Sequence, residues 1–161
     1  MNSPKGLRMI EIPSDILDAF FEKSFVTGSV WFFKQFCFPS TGEHRDKFIV
    51  ELNPQAADGN AYFALPTSHV QKLLNNSILV DDCLVIPQGT TTFFPLETVI
   101  QVSNIQSLAA SSVRSTYVNC PFPQKMEYKG QLLQAIFDEV RVRIKASKRI
   151  SPKLKGLVFP E

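Results

Sequence analysis

The sequence has no long apolar run, few cysteines and no glycine-rich phosphate loop, and each of these absences excludes a class of protein. Its uninterrupted apolar runs are a handful of residues, far below the ~20 that a membrane-spanning helix needs. The N-terminal residues lack the apolar core of a signal peptide. We therefore expect a cytoplasmic protein with no membrane partner.

Cysteine and glycine are scarce and scattered. Cys37, Cys83 and Cys120 are an odd number of cysteines, are widely spaced and form no C-x-x-C pair. This arrangement argues against a disulfide framework and against a zinc site, so no metal is predicted. The seven glycines form neither a G-x-G-x-x-G motif nor a Walker loop, so no nucleotide cofactor is expected.

The residues that are present are typical of one soluble globular domain. The chain has 161 residues, of which 44% are hydrophobic and 20% charged. There are 14 Phe but one Trp and three Tyr. Large rings at strand positions favour packing on a sheet.

Positive charge is concentrated at the C-terminal end. Residues 141–161 hold seven Lys or Arg and one acid, a net charge of +6. The other 140 residues carry ten bases and fourteen acids, a net charge of −4. Such an asymmetry indicates contact with nucleic acid or another anionic surface, and an equally good interpretation is a solvated basic helix face.

Hydrophobic periodicity predicts a mainly β chain with helices at both ends. Ser14 is placed as the N-cap of a first helix, and an amphipathic helix is predicted from about Lys129 to Ser147. The main runs predicted as strands are 26–38, 48–52, 61–65, 83–87 and 93–102. A short helical segment is predicted at 103–108 and an extended connection at 113–124.

Short strands followed by a helix are typical of a small curled barrel that a C-terminal helix closes. The predicted units are an N-terminal helical extension at 1–24, a barrel domain with its C-terminal helix at 25–148, and a basic flexible tail at 149–161.

The segment 28–53 is the best candidate for a functional site. It places a polar loop, with five charged or ionisable side chains at 43–47, between two apolar strands. Loops on a rigid scaffold commonly carry function. We expect this loop to lie beside the end of the third strand, where Thr67, Ser68 and His69 follow Pro66.

Five stretches of the chain follow one another in a recognisable order. They are GSVW at 28–31, GEHRDKFIV at 42–50, LPTS at 65–68, ETVIQVSNI at 97–105 and GQLL from 130. The order resembles that of the MazF/PemK/Kid family of toxins, over about residues 28–147. The resemblance implies an SH3-like barrel, a homodimer, a possible cognate antitoxin and cleavage of single-stranded RNA without a metal ion.

The resemblance also suggests site residues. The family uses an Arg at the head of the second strand, and here Arg45 follows His44 while the apolar run places Lys47 at the strand head. The Thr of the family falls on Thr67 or Ser68, and its loop acid on Glu43.

Cleavage of RNA without a metal needs a base, an acid and a cation that stabilises the phosphorane. Glu43 or a neutral histidine suits the base. Arg45 suits phosphate stabilisation better than Lys47 because its guanidinium is planar and permanently charged. His44 and His69 form a candidate acid–base pair. Trp31 and Phe36 are the candidates for stacking on an RNA base, beside Arg45 and Lys47.

Two other functions are compatible with the same residues. One is a degenerate barrel that binds protein or nucleic acid without catalysis. The other is a toxin of this fold that disables a protein target.

Overall fold

The computed structural model describes residues 12–38, 41–119 and 125–160. They form a mixed α/β protein with a six-stranded antiparallel sheet and five helices. The strands are β1 (Ser29–Cys37), β2 (His44–Asn53), β3 (Asn60–Thr67), β4 (Cys83–Ile86), β5 (Thr98–Ala109) and β6 (Met126–Gln131). The helices are α1 (Ser14–Ser24), α2 (Val70–Leu74), α3 (Ala110–Asn119), α4 (Gln134–Ala146) and α5 (Pro152–Val158), with a short 3₁₀ turn at Val80–Asp82.

The sheet has the strand order β4-β5-β3-β2-β1-β6. Its two edge strands, β4 and β6, do not pair with each other in the described part of the chain, so this sheet is open and is not closed into a barrel. Register shifts interrupt four of its five strand pairs. Such bulges bend strands and increase their twist. Helices cover both faces of this sheet, so the prediction of a mainly β fold is too narrow.

Each face of the sheet buries its own hydrophobic core, because alternate residues of a strand point to opposite faces. On one face, Trp31 and Phe33 pack with residues of α1 and α3. On the other face, Val30 packs with residues of α4 and α5. The chain thus forms three layers, with the sheet in the middle.

Three elements differ from the sequence prediction. β5 continues to Ala109, so the predicted helical segment at 103–108 is a strand that pairs with β3. α3 runs from Ala110 to Asn119, so residues 113–119 of the segment predicted to be extended are helical. The C-terminal helix begins at Gln134, five residues later than predicted, because β6 takes the preceding residues into the sheet beside β1. Tertiary pairing overrides local preference in each case.

The segment predicted as a basic flexible tail contains α5, which packs on the sheet. Ser151 caps this helix by accepting a hydrogen bond from the Leu154 amide, and Pro152 occupies its first turn. A serine followed by proline is a helix-start signal. Ile150 and Val158 are buried in the core that α4 covers.

Ile150→Ala is expected to lower the free energy of unfolding by about 2–5 kcal/mol, because it removes buried methyl groups and leaves a cavity. Lys153→Ala, two residues beyond the cap at an exposed position, is the control and should change the value by less than about 0.5 kcal/mol. Urea denaturation of both variants measures the difference. Equal values for the two variants would mean that the segment is not part of the cooperative fold.

Among the described residues, no helix combines the length and the apolar character that crossing a bilayer requires.

Candidate active site

A groove of about 210 Å³ opens where the head of β2 lies beside the end of β3. The loop before β5 forms its third wall. The lining residues are Phe32, Asp46, Lys47, Phe48, Pro66, Thr67, Ser68, His69, Phe94, Pro95, Leu96 and Thr98. The antiparallel pairing of β2 with β3 explains the geometry. Val50 lies opposite Ala64, so the residues before Val50 approach those that follow Ala64.

The structure brings four of the predicted site residues together in this groove. Lys47 contributes from β2, whereas Thr67, Ser68 and His69 contribute from the end of β3 and the turn that follows. The His69 amide donates a hydrogen bond to Thr67 Oγ1 at 3.2 Å, which holds the turn closed. The side chains of Ser68 and His69 are exposed and accessible to a ligand.

Glu43, His44 and Arg45 lie at the start of the same hairpin but do not line the groove. Arg45 forms an exposed ion pair with Glu43 at 3.0 Å. His44 Nδ1 lies 3.3 Å from the carbonyl oxygen of Gln35. The two histidines of the predicted pair are therefore separated, and His69 is the one that lines the groove.

Lys47 is the cation of the groove, and its environment favours release of its proton. Partial burial lowers its pKa, and the positive charge of Arg45 lowers it further. Its Nζ lies 5.8 Å from the centroid of the Phe38 ring. The flexible stem of a lysine allows the ammonium to move from this ring into the groove.

Asp46 lines the groove, although the sequence analysis did not select it. Its Oδ1 accepts hydrogen bonds from the backbone amide of Gln35 at 2.9 Å and from Gln35 Nε2 at 3.2 Å. Gln35 has a φ of 55° and sits at the bulge in β1 between Phe33 and Phe36. A non-glycine residue rarely adopts this conformation, and Asp46 stabilises it. Asp46 therefore positions the head of β2.

The aromatic prediction needs correction. Trp31 and Phe36 are 0% and 1% exposed, so neither ring is available to stack on a base. Both point into the core under α1 and α3. Strict alternation would place residues five apart on opposite faces, and the bulge between Phe33 and Phe36 brings Phe36 to the same face as Trp31. The half-buried rings of Phe32 and Phe48 line the groove instead, with centroids 5.1 Å apart.

Phe94 completes this row of rings, 5.2 Å from Phe48. The sequence analysis placed Phe94 in a strand, whereas it lies in the loop before β5. The flanking Pro95 was the available signal, because proline is rare inside a central strand. Lys129 Nζ lies 5.9 Å from the Phe32 centroid and also pairs with Glu127 at 3.0 Å.

Among the residues described, no group of three or more His, Cys, Asp or Glu side chains is arranged to hold a metal ion. Comparison with known proteins identifies no matching family model and no matching curated protein.

Proposed function

We propose that this protein is a toxin-like endoribonuclease that cleaves single-stranded RNA in the groove without a metal ion. One observation carries the proposal: an imidazole, a lysine with a lowered pKa and two hydroxyl groups share a groove with half-buried aromatic rings. A cation beside rings is how proteins bind single strands without sequence preference. An acid–base group beside a cation is what phosphoryl transfer needs.

The reaction would divide between two side chains. His69 takes the proton of the ribose 2′-hydroxyl, whose oxygen forms a bond to phosphorus. The bond from phosphorus to the 5′-oxygen breaks, and Lys47 gives that oxygen a proton. A lysine whose pKa is lowered is a better proton donor than an ordinary one. The products are a 2′,3′-cyclic phosphate and a 5′-hydroxyl.

Three other groups would support the charge of the phosphorane. The hydroxyls of Thr67 and Ser68 donate to its non-bridging oxygens. Arg45, close enough to affect the pKa of Lys47, contributes positive potential from the edge of the hairpin. Phe32 and Phe48 provide faces on which the bases next to the cleaved bond stack.

The proposal includes the finer relationship to the MazF/PemK-like toxins. The β1–β2–β3 meander and the C-terminal helix α4 are the parts that would correspond to their SH3-like barrel. The four register shifts of the sheet support this part of the proposal, because bulges are how sheets curl. A homodimer and a cognate antitoxin follow from the same relationship.

A binding module without catalysis is the second candidate. The split between the two histidines favours it, since only His69 reaches the groove and Asp46 is occupied by Gln35. Such a protein would bind single-stranded RNA in the groove and leave it intact.

Incubation of the purified protein with a long single-stranded RNA in EDTA tests the proposal. We expect fragments that end in a 2′,3′-cyclic phosphate. Lys47→Ala should lower the cleavage rate at least ~10²-fold, because it removes both the cation and the proton donor. Arg45→Ala should lower it less, since Arg45 does not line the groove.

Lys23→Ala is the matched control, an exposed lysine of α1 on the other face of the sheet. If Lys47→Ala and Lys23→Ala cleave RNA at the same rate, the reaction takes place elsewhere on the protein. If the wild type binds the RNA but leaves it intact, the protein is a binding module.

A further inference from the structure

Residues 141–155, which include the end of α4 and the start of α5, carry more basic side chains than the fold pairs with acids. Two of their basic residues have acidic partners: Arg143 pairs with Glu139 and Arg149 with Asp82, both at 3.1 Å. The other five form no ion pair within the described residues: they are Arg141, Lys145, Lys148, Lys153 and Lys155.

Contacts between α4 and the α5 region bring three of these five residues together, namely Arg141, Lys145 and Lys155. The Arg141 guanidinium lies 5.0 Å from the centroid of the Phe159 ring. Lys145 lies one helical turn after Arg141, and its carbonyl oxygen accepts a hydrogen bond from Lys155 Nζ at 2.8 Å. We call the five basic residues of 141–155 that form no ion pair in the described part of the chain the basic seam.

Such an arrangement is unfavourable for the isolated protein, because like charges one helical turn apart repel each other. Two of these cations have contacts within the fold that involve no anion, although Arg141 Nε is buried without a hydrogen-bond partner among the described residues. Arg141 lies over the rings of Phe137 and Phe159, and Lys155 bonds to a carbonyl oxygen. Lys145, Lys148 and Lys153 are exposed to solvent. An external polyanion would remove the repulsion.

The seam lies on the same face of the sheet as the groove but at the opposite end of β2. The groove contains Lys47, whereas Asn53 Nδ2 bonds to the Leu157 carbonyl oxygen of α5 at 2.8 Å. Six residues of a strand span ~20 Å. One RNA strand of several nucleotides is long enough to reach from the groove to the seam.

We propose that the basic seam is a second RNA-binding surface, which holds the phosphates of the substrate strand outside the groove. The choice of RNA as the polyanion rests on the proposed function. The seam would give the protein a preference for long strands over short ones. It contributes affinity without base specificity, because phosphate contacts carry no sequence information.

Fluorescence anisotropy with 2′-O-methyl oligouridines tests this proposal, since these probes lack the attacking hydroxyl and stay intact. Lys148→Gln/Lys153→Gln should weaken binding of a 20-mer by roughly tenfold at low salt, and reduce the slope of log K against log salt by about 0.7 for each lysine. Binding of a 4-mer, which fills the groove alone, should not change.

Lys23→Gln/Lys125→Gln is the control, with the same loss of charge on the α1 and α3 side of the sheet. An unchanged 20-mer affinity for the seam variant, or an equal loss in the control, overturns the proposal. If oligoglutamate displaces the 20-mer as effectively as RNA does, the seam does not select RNA as its partner. If the wild type cleaves no RNA and the seam variant binds the 20-mer more weakly than the wild type does, the proposed catalysis is refuted and the seam is supported.

Discussion

His69→Ala is expected to reduce the rate of RNA cleavage by about 10²–10⁴-fold, the usual contribution of a general acid–base group. His69 is the histidine that lines the groove, next to the hydroxyl groups of Thr67 and Ser68. The truncation should leave the fold intact, because the side chain is exposed and its backbone amide makes the hydrogen bond to Thr67. Single-turnover cleavage of a fluorescent RNA measures the effect.

The second histidine of the chain provides the control. His44 is also exposed and also lies in the hairpin region, but its ring is near the Gln35 carbonyl oxygen and outside the groove. His44→Ala should therefore keep the wild-type rate within a few-fold. Added imidazole should restore part of the activity of His69→Ala, which a purely structural role would not allow. A greater loss in His44→Ala than in His69→Ala would refute the assignment.

The comparison of His44 with His69 shows how far the sequence specifies this site. Pattern reasoning identified the two loops, because polar residues between apolar strands are readable from the sequence. It did not separate the loop residues that face the groove from those that face away. That choice depends on the bulge at Gln35, which shifts the register of β1 against β2. A local shift of one residue reverses the face of each following side chain.

The aromatic residues lead to the same conclusion. The sequence shows that β1 is rich in rings, and alternation requires that neighbouring rings face opposite sides of the sheet. Nothing in the sequence says which set is covered by α1 and α3. The long-range packing of these helices buries Trp31 and Phe36, and leaves Phe32 at the groove.

The elements that the sequence predicted best are those with a strong local signal. The helix at the N-terminal end and the apolar stripe of α4 belong to this group, although the N-cap of the first helix is Pro13 and not Ser14. β6 was missed because Met126–Gln131 has little apolar alternation, and it forms a strand because the edge of β1 offers backbone partners. α5 was missed although Ser151 and Pro152 carry its start signal. Its basic composition led to the expectation of a flexible tail.

Glu51 leads to the last prediction, since it is a fully buried carboxyl group near the C-terminal end of β2. Neither of its carboxyl oxygens has a hydrogen-bond partner among the described residues. Burial raises its pKa well above the ordinary value, so the group is held neutral over a wider pH range than an exposed glutamate. An unpartnered buried polar group costs about 1–3 kcal/mol. Glu51→Leu is therefore expected to raise the free energy of unfolding at neutral pH by about that amount.

The pH dependence of stability distinguishes this explanation from a general gain in hydrophobicity. Because the pKa of Glu51 is raised in the folded state, the folded protein binds the proton more tightly than the unfolded chain. Its contribution is complete below the ordinary glutamate pKa and is lost as the pH rises through the raised value. Glu51→Gln, which cannot ionise, should remove this loss, whereas Glu97→Gln at an exposed position should keep it. Urea denaturation at a series of pH values measures both, and a wild type whose stability does not fall over this range would show that Glu51 is not buried as a neutral acid.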